Sequence, residues 1–332
     1  MKKTIYLLTL LSVAIIFSSS CEKQKKDPVI DNGEFYTYST TAGAAKILKF
    51  ENESDFDLKL SQLSMEIELR DSLWLNSNAS LSDDQLDSLE EFSLYQFEEP
   101  LDSFDTHYQF SSLRNLYNTD LSQWLDNYEL DTNIRLTEKY FGLSTVELTL
   151  FNEDGAVVIG TDIMLLTENG LIAFPDLNWE AYLTYLNGGL VPEVTDVYKT
   201  TSMCTMWKGS DRFIKDPVNG KWMVQEHVHF HKYPWKAVSG ARLNSFKERK
   251  NGKWKRARIT MGISSQNNFV DKDDCQTLTK QFWMYTKVKK RSSFTRYGAT
   301  YGSFEPHRAR KNYSALGEFS FHGLYRTLAL SW

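Results

Sequence analysis

The chain has 332 residues, of which 41% are hydrophobic, 14% aromatic and 24% charged. This composition supports a packed interior and excludes a disordered, collagen-like or coiled-coil chain. One apolar run, at the extreme N-terminus, is long enough to interact with a membrane, so the sequence also excludes a polytopic membrane protein. The length predicts one or two domains.

Residues 1–21 have the layout of a secretory signal peptide. Lys2 and Lys3 precede an apolar run from Ile5 to Phe17, and three serines then lead to Cys21. The run is too short for a permanent membrane span. A cysteine directly after small residues resembles a bacterial lipoprotein signal, although Ser18 stands where leucine is commonest. The resemblance implies that Cys21 is lipidated, becomes the mature N-terminus and anchors an exported protein in the outer membrane. An ordinary signal peptide with an incidental Cys21 is the alternative.

The net charge of −5 conceals two halves of opposite sign. Residues 22–198 carry 10 Lys and Arg against 34 Asp and Glu, whereas residues 199–332 carry 26 against 9. The switch predicts two domains with different surfaces, an acidic one over 45–198 and a basic one over 199–332. Residues 22–44 are polar and lack apolar periodicity, so they are predicted to form a flexible tether.

The acidic domain is predicted to be α+β. A short strand at 47–50 is followed by helical spacing through Phe56, Leu58 and Met65. Further helices are predicted after Ser82, over 111–128 and after Asn178. From residue 143 the apolar period changes to two, which predicts strands at 146–150 and 157–159 with a turn at Asp154-Gly155.

The basic domain is predicted to be all β, an antiparallel sandwich-like fold. Asn219-Gly220 and Asn251-Gly252 lie between apolar runs, as hairpin turns do. Strands are predicted over 222–233, 241–246, 254–263, 282–288 and 317–332.

Several segments of the first half resemble uncharacterised envelope lipoproteins of Bacteroidetes. The resemblance lies in Ile47-Leu48-Lys49-Phe50 through Asp55-Phe56, in Phe110-Ser111-Ser112-Leu113-Arg114, and in Leu150-Phe151-Asn152-Glu153-Asp154-Gly155 with Ile159-Gly160-Thr161. It covers about residues 1–175 and implies a surface or periplasmic lipoprotein. It carries no catalytic residue and indicates no ligand.

His227, His229 and His231 alternate within one predicted strand. Alternation places the three imidazoles on one face, with neighbours about 6.6 Å apart. Such a pattern can hold zinc or another transition metal, and Glu226, His307 or His322 are possible further ligands. The favoured interpretation is nevertheless a half-exposed strand face, because ligands along one strand span a metal only where twist brings them together; the metal site is the alternative.

Motifs of nucleophilic hydrolases, nucleotide-binding loops and zinc proteases are missing from the sequence. The chain is therefore interpreted as non-enzymatic. The alternative is an enzyme, either metal-dependent through the histidine strand or glycan-acting through a carboxylate pair.

Basic and aromatic residues interleave around Asn251-Gly252. Seven cations form the candidate anion-binding set: Lys247, Arg249, Lys250, Lys253, Lys255, Arg256 and Arg258. In an exported protein this composition favours an acidic polysaccharide or lipopolysaccharide over nucleic acid, which is not expected as a partner. The expectation is a basic face free to bind an anion, with docking of the two halves against each other as the alternative. The leading interpretation is a binding or structural protein anchored to the membrane through its N-terminal lipid.

We expect Cys21→Ser to leave the protein unlipidated and released from membranes, because each buried methylene of an acyl chain contributes ~0.8 kcal/mol to anchoring. Membrane fractionation with a lipid label measures this. Unchanged lipid incorporation in the variant would refute the assignment.

We also expect a disulfide between Cys204 and Cys275, since both cysteines are exported into an oxidising space. Closing a loop of about 70 residues would stabilise the fold by roughly 4 kcal/mol in the chain-entropy account. The alternative is two buried thiols, which mass spectrometry of the non-reduced protein would reveal.

Overall fold

The computed structural model describes residues 29–31, 34–40, 43–92, 98–127, 140, 143–167, 170–191, 208–217, 219–233, 237–270, 282–284, 289–291, 293–301, 311–321 and 324–331. The lipidation site Cys21 and the predicted disulfide partners Cys204 and Cys275 lie outside these residues, so both assignments stay predictions. The chain divides into two compact units, Met1–Lys46 and Ile47–Trp332. The predicted domain boundary at residue 198 also lies outside the described residues.

The first unit contains an antiparallel strand pair. Strand β1 (Val29–Asp31) pairs with β2 (Phe35–Thr40), and Ile30 lies opposite Tyr36. Phe35, Tyr36 and Tyr38 are buried. The prediction of a flexible tether over 22–44 is therefore wrong for β1 and β2, because three aromatic side chains within four positions supply apolar area that a tether lacks.

Strand β3 (Gly43–Phe50) runs across the boundary between the units, and its end pairs in parallel with β4 (Ala156–Ile159). Strands β5 (Asp162–Thr167) and β6 (Gly170–Phe174) continue the sheet antiparallel. The predicted turn at Asp154-Gly155 is confirmed: Gly155 has φ +81°, a conformation that favours glycine.

Helices connect β3 to β4 and follow β6. In the described residues these are α1 (Glu53–Ser77), α2 (Asp83–Phe92), α3 (Glu99–Tyr108), α4 (Leu113–Asp126), α5 (Thr145–Thr149) and, after β6, α6 (Trp179–Leu186). Two predicted N-caps are confirmed: Gln85 N donates to Ser82 Oγ at 3.3 Å, and Ala181 N donates to Asn178 Oδ1 at 3.0 Å. Among the residues that the structure describes, no helix is long and apolar enough to cross a membrane.

The segment predicted as a strand at 146–150 is instead helix α5. Ser144 and Glu147 form a capping box, in which Glu147 N donates to Ser144 Oγ at 3.2 Å and Ser144 N donates to Glu147 Oε2 at 2.8 Å. Because the capping box satisfies two backbone N–H groups at the N-terminus, the segment forms a helix although its apolar residues alternate as in a strand.

The second half of the chain forms two antiparallel sheets. The first consists of β7 (Lys208–Lys215), β8 (Trp222–Lys232), β9 (Ala237–Glu248) and β10 (Trp254–Arg256), in the order β10-β9-β8-β7. The second is built around β11 (Ile259–Val270), which pairs with β12 (Phe282–Met284) and β13 (Lys289–Arg291). Strand β14 (Ser293–Tyr301) pairs with β9, β15 (Lys311–Phe321) with β11, and β16 (Leu324–Ser331) with β15.

The two sheets enclose one apolar core. Its buried members include Val224 and Val228 of β8, Met261 of β11 and Phe319 of β15. Gly317 of β15 lies so close to β8 that an added Cβ would come within 2.8 Å of Val228 Cγ2. The predicted fold class, α+β followed by an antiparallel all-β region, is confirmed.

Candidate functional site

The first sheet of the β region is buried on both faces. Every residue of β8 from Trp222 to His229 is buried. Val224 and Val228 point into the sandwich core, so the alternating residues of β8 point to the other face. That other face is covered by the helical half: Phe213, opposite Gln225, packs against Trp124 of α4 with ring centroids 3.9 Å apart.

The histidine strand lies in this covered layer. His227 and His229 are 0% and 2% exposed, and their rings stack with centroids 5.2 Å apart and planes 18° apart. The expectation of a half-exposed face is therefore wrong for these two residues, because helices cover the sheet face that they occupy. The side chain of His231 lies outside the described residues.

A metal site stays a prediction. Within the described ranges, no group of three or more His, Cys, Asp or Glu side chains is placed to hold a metal ion. His307 and His322 lie outside these ranges. Glu226 follows the alternation to the opposite face of β8 from His227, so it does not face the histidines.

Glu226 instead forms a separate charged contact at the sandwich. Arg212 Nε of β7 donates to Glu226 Oε2 at 2.9 Å, and Arg326 Nε of β16 lies 3.8 Å from the other oxygen. Burial raises the pKa of the Glu226 carboxyl, and Arg212 offsets this only in part. One carboxylate thereby contacts side chains from β7 and β16, which are edge strands of the two sheets.

Arg258 forms the most buried contact between the two halves of the chain. Its Nη2 donates to Asp71 of α1 at 2.7 Å and its Nε donates to Glu90 of α2 at 2.9 Å. The side chains of Arg258 and Asp71 are both 0% exposed, and the guanidinium lies 4.9 Å from the centroid of Trp74. Burial alone would lower the pKa of Arg258, but the hydrogen bonds that it donates to Asp71 and Glu90 raise it.

A second network joins the halves through Glu98. Arg256 Nη1 donates to Glu98 Oε1 at 3.0 Å, and the other oxygen of Glu98 lies 3.8 Å from Arg114 Nη1. Arg114, 1% exposed, also donates to Asp102 at 2.7 Å and to Asp105 at 2.9 Å. Burial alone would lower the pKa of Arg114, but the bonds to Asp102 and Asp105 raise it.

Further contacts join the two halves around these networks. Arg242 Nη1 donates to the carbonyl of Leu143 at 2.8 Å, and the Tyr233 hydroxyl donates to Glu147 at 3.0 Å. At the edge, Lys253 Nζ lies 3.4 Å from Asp126. The acidic helices and the basic sheet are therefore docked, and the expectation of an entirely free basic face is wrong for Arg256 and Arg258.

The remaining predicted anion-binding residues lie at the β9–β10 hairpin. Lys250 and Lys255 are exposed, Lys253 keeps 60% of its side-chain surface, and Lys247 Nζ lies 5.0 Å from the ring centroid of Trp222. Arg249 lies at the start of the turn, where its N–H donates to the Lys253 carbonyl at 2.9 Å. Gly252, with φ +77°, completes the predicted Asn251-Gly252 turn.

Lys215 and Lys221, which the sequence did not assign to the anion-binding set, lie beside these residues. Glu248 N donates to the Lys221 carbonyl at 2.8 Å, which joins the β7–β8 turn to the β9–β10 turn. Lys215 Nζ lies 5.6 Å from the ring centroid of Trp254. The sequence signal that could have identified these two lysines is their position on either side of the Asn219-Gly220 turn. The proximity of this turn to the Asn251-Gly252 turn depends on strand pairing. We call residues 215–222 and 247–255 the hairpin-tip surface.

The hairpin-tip surface keeps a strong positive charge. It contains seven cations and two carboxylates, Asp216 and Glu248, and Asp216 is buried. Lys221, Lys250 and Lys255 are exposed and form no ion pair with the described residues. The geometry offers three exposed ammonium groups beside two lysines that lie near tryptophan rings, an arrangement that can bind anions.

No protein-family profile matches the chain, and no curated protein matches it by sequence. A crystal structure of a DUF4848 family protein from Bacteroides thetaiotaomicron VPI-5482 aligns with 92% of this chain and 100% of its own, at 12% identity and a TM-score of 0.16.

We expect Arg258→Met to lower the free energy of unfolding by about 3–5 kcal/mol, because it leaves the buried Asp71 carboxylate without its cation. Chemical denaturation of the full chain measures the change. Adding Asp71→Leu should recover part of the loss, since replacing both partners by apolar groups removes the unpaired charge.

The matched control is Lys255→Met, which removes an exposed cation from the neighbouring strand and should change stability by less than about 0.5 kcal/mol. If Arg258→Met destabilises the protein no more than this control, the ion pair does not hold the halves together.

Proposed function

We propose that this protein is a non-enzymatic, lipid-anchored protein of the bacterial cell envelope that binds an anionic glycan through its hairpin-tip surface. Acidic polysaccharide and lipopolysaccharide both offer the required carboxylate or phosphate groups. The observation that carries the proposal is the exposure of Lys221 and Lys250 on two adjacent turns and of Lys255 in the strand that follows the second turn. The lipid anchor rests on the N-terminal sequence alone.

The partition of the basic residues supports a binding role for the tip. Arg256 forms an ion pair with Glu98, and Arg258 forms ion pairs with Asp71 and Glu90, so both arginines stabilise the fold. At the tip, Lys221, Lys250 and Lys255 are exposed and solvated, whereas Lys253 lies 3.4 Å from Asp126. A solvated lysine can exchange water for an anion at little cost, whereas a buried arginine cannot leave its carboxylate.

The aromatic residues at the tip orient part of this charge. Lys247 and Lys215 extend over Trp222 and Trp254, respectively, and such contacts stabilise a cation by about 0.5–1 kcal/mol at exposed sites. Two lysines are thereby held near the sheet, while three others are exposed to solvent. This combination suits a repetitive, flexible anion better than a single small ligand.

Replacing Lys221, Lys250 and Lys255 together by Gln should weaken binding of the full chain to heparin-like and lipopolysaccharide surfaces by roughly tenfold, since each exposed ion pair contributes about 0–1 kcal/mol. The dependence of binding on salt should also become shallower, because fewer exposed charges are screened. Surface plasmon resonance across a salt series measures both quantities.

The matched control is the triple Lys→Arg variant, which keeps the charge and should bind as the wild type does. If the wild-type protein binds neither surface at low salt, the proposal fails. If the Gln and Arg variants bind equally well, the hairpin tip is not the binding surface.

A further inference from the structure

Helix α1 is apolar on two opposite sides. On one side Phe56, Leu63 and Ile67 are buried, at 0%, 3% and 6% exposure. The other side carries the outer stripe, which consists of Leu58, Met65, Leu69 and Leu73, exposed at 55%, 58%, 62% and 58%. At about 100° per residue the centres of the two sets lie roughly half a turn apart.

Among the residues that the structure describes, the fold leaves the outer stripe exposed. A surface helix needs a single apolar stripe toward its core, and the buried set already supplies it. Between Leu58 and Leu73 the outer stripe extends for about 22 Å, which is the length of four helical turns. Contiguous exposed apolar surface of this kind marks an interaction site in a soluble protein domain.

The charges around the outer stripe are negative. The exposed charged residues of α1 are Glu53, Glu66 and Glu68. The two cations of the helix, Lys59 and Arg70, are only partly exposed and are turned to neighbouring groups. Lys59 Nζ lies 5.1 Å from the ring centroid of Phe104, and Arg70 Nη1 lies 2.8 Å from Glu99. A partner at the stripe therefore meets apolar side chains bordered by carboxylates.

We propose that the outer stripe of α1 is a docking site for a cationic amphipathic helix of a partner protein. A helix of four to five turns matches the length of the stripe, and its apolar face would bury all four side chains. Lysine or arginine residues beside that face would lie opposite Glu66 and Glu68, which flank the stripe on its two sides, and this favours association and orients the partner.

Charge argues against two other occupants. A second copy of α1 paired about the centre of the stripe, between Met65 and Leu69, would bring Glu66 and Glu68 of both copies to the same level. Like charges placed opposite each other oppose association. The same carboxylates repel an anionic lipid surface.

The test uses the full chain carrying Cys21→Ser, so that no acyl chain competes for the stripe. The probe is a fluorescent 18-residue amphipathic peptide of Leu and Lys, and binding is followed by anisotropy. Saturable binding is expected, and Leu69→Gln with Leu73→Gln should weaken it at least about tenfold, because the change removes two of the four apolar side chains that the partner would bury. Glu66→Lys should weaken binding several-fold while leaving the apolar stripe intact.

The matched control is Leu190→Gln, a change at a 97% exposed leucine beyond α6, which should leave binding unchanged. Equal binding of a Leu/Glu peptide, or unaltered binding by the Leu69/Leu73 variant, would overturn the proposal. Sedimentation showing a dimer that Leu69→Gln dissociates would assign the stripe to a second copy instead. Pelleting with phosphatidylcholine vesicles that Leu69→Gln abolishes would assign it to lipid.

Discussion

Arg258 lies where the chain passes from β10 in one sheet of the sandwich to β11 in the other, and its guanidinium is shielded from water. A buried cation is tolerated only where carboxylates and hydrogen bonds replace its hydration. Asp71 of α1 and Glu90 of α2 supply them. Because the cation belongs to the junction of the two sheets and the anions to two helices, one contact fixes the helices relative to both sheets.

Because the helices dock on the first sheet, the polar side chains on the outer face of its strands need hydrogen-bond partners within the protein. A two-layer sandwich would leave the outer face of β8 and β9 in water, yet here Gln225, His227 and Asn244 are buried. Asn244 Nδ2 donates to Gln225 Oε1 at 2.8 Å, which pairs two amides that would otherwise lose hydration. Paired polar groups of this kind keep their hydrogen bonds in few alternative packings. They therefore favour one alignment of the helices on the sheet, whereas a purely apolar contact would tolerate several.

Local signals predicted local structure well and long-range structure poorly. The caps at Ser82 and Asn178 and the glycine turns at 155 and 252 each depend on residues within a few positions, and all were recognisable in the sequence. The Ser144–Glu147 capping box was overlooked because an alternating apolar pattern competed with it. The burial of His227 and the pairing of Arg258 depend on helices more than 100 residues away, which strand periodicity does not encode. The same limit concealed Lys221, whose proximity to Lys250 comes from the pairing of β8 with β9.

The unequal charge of the two halves therefore has two physical consequences. A few residues of each sign, chiefly Arg256 and Arg258 with Asp71, Glu90 and Glu98, are desolvated and hold the halves together. Among the described residues, other charged side chains such as Lys221, Lys250 and Glu66 stay exposed, and at moderate salt their field decays within about 8–10 Å. A partner at the hairpin tip thus meets a positive potential, whereas a partner at the outer stripe of α1 meets a negative one. Under the two proposals, these surfaces would therefore select partners of opposite charge.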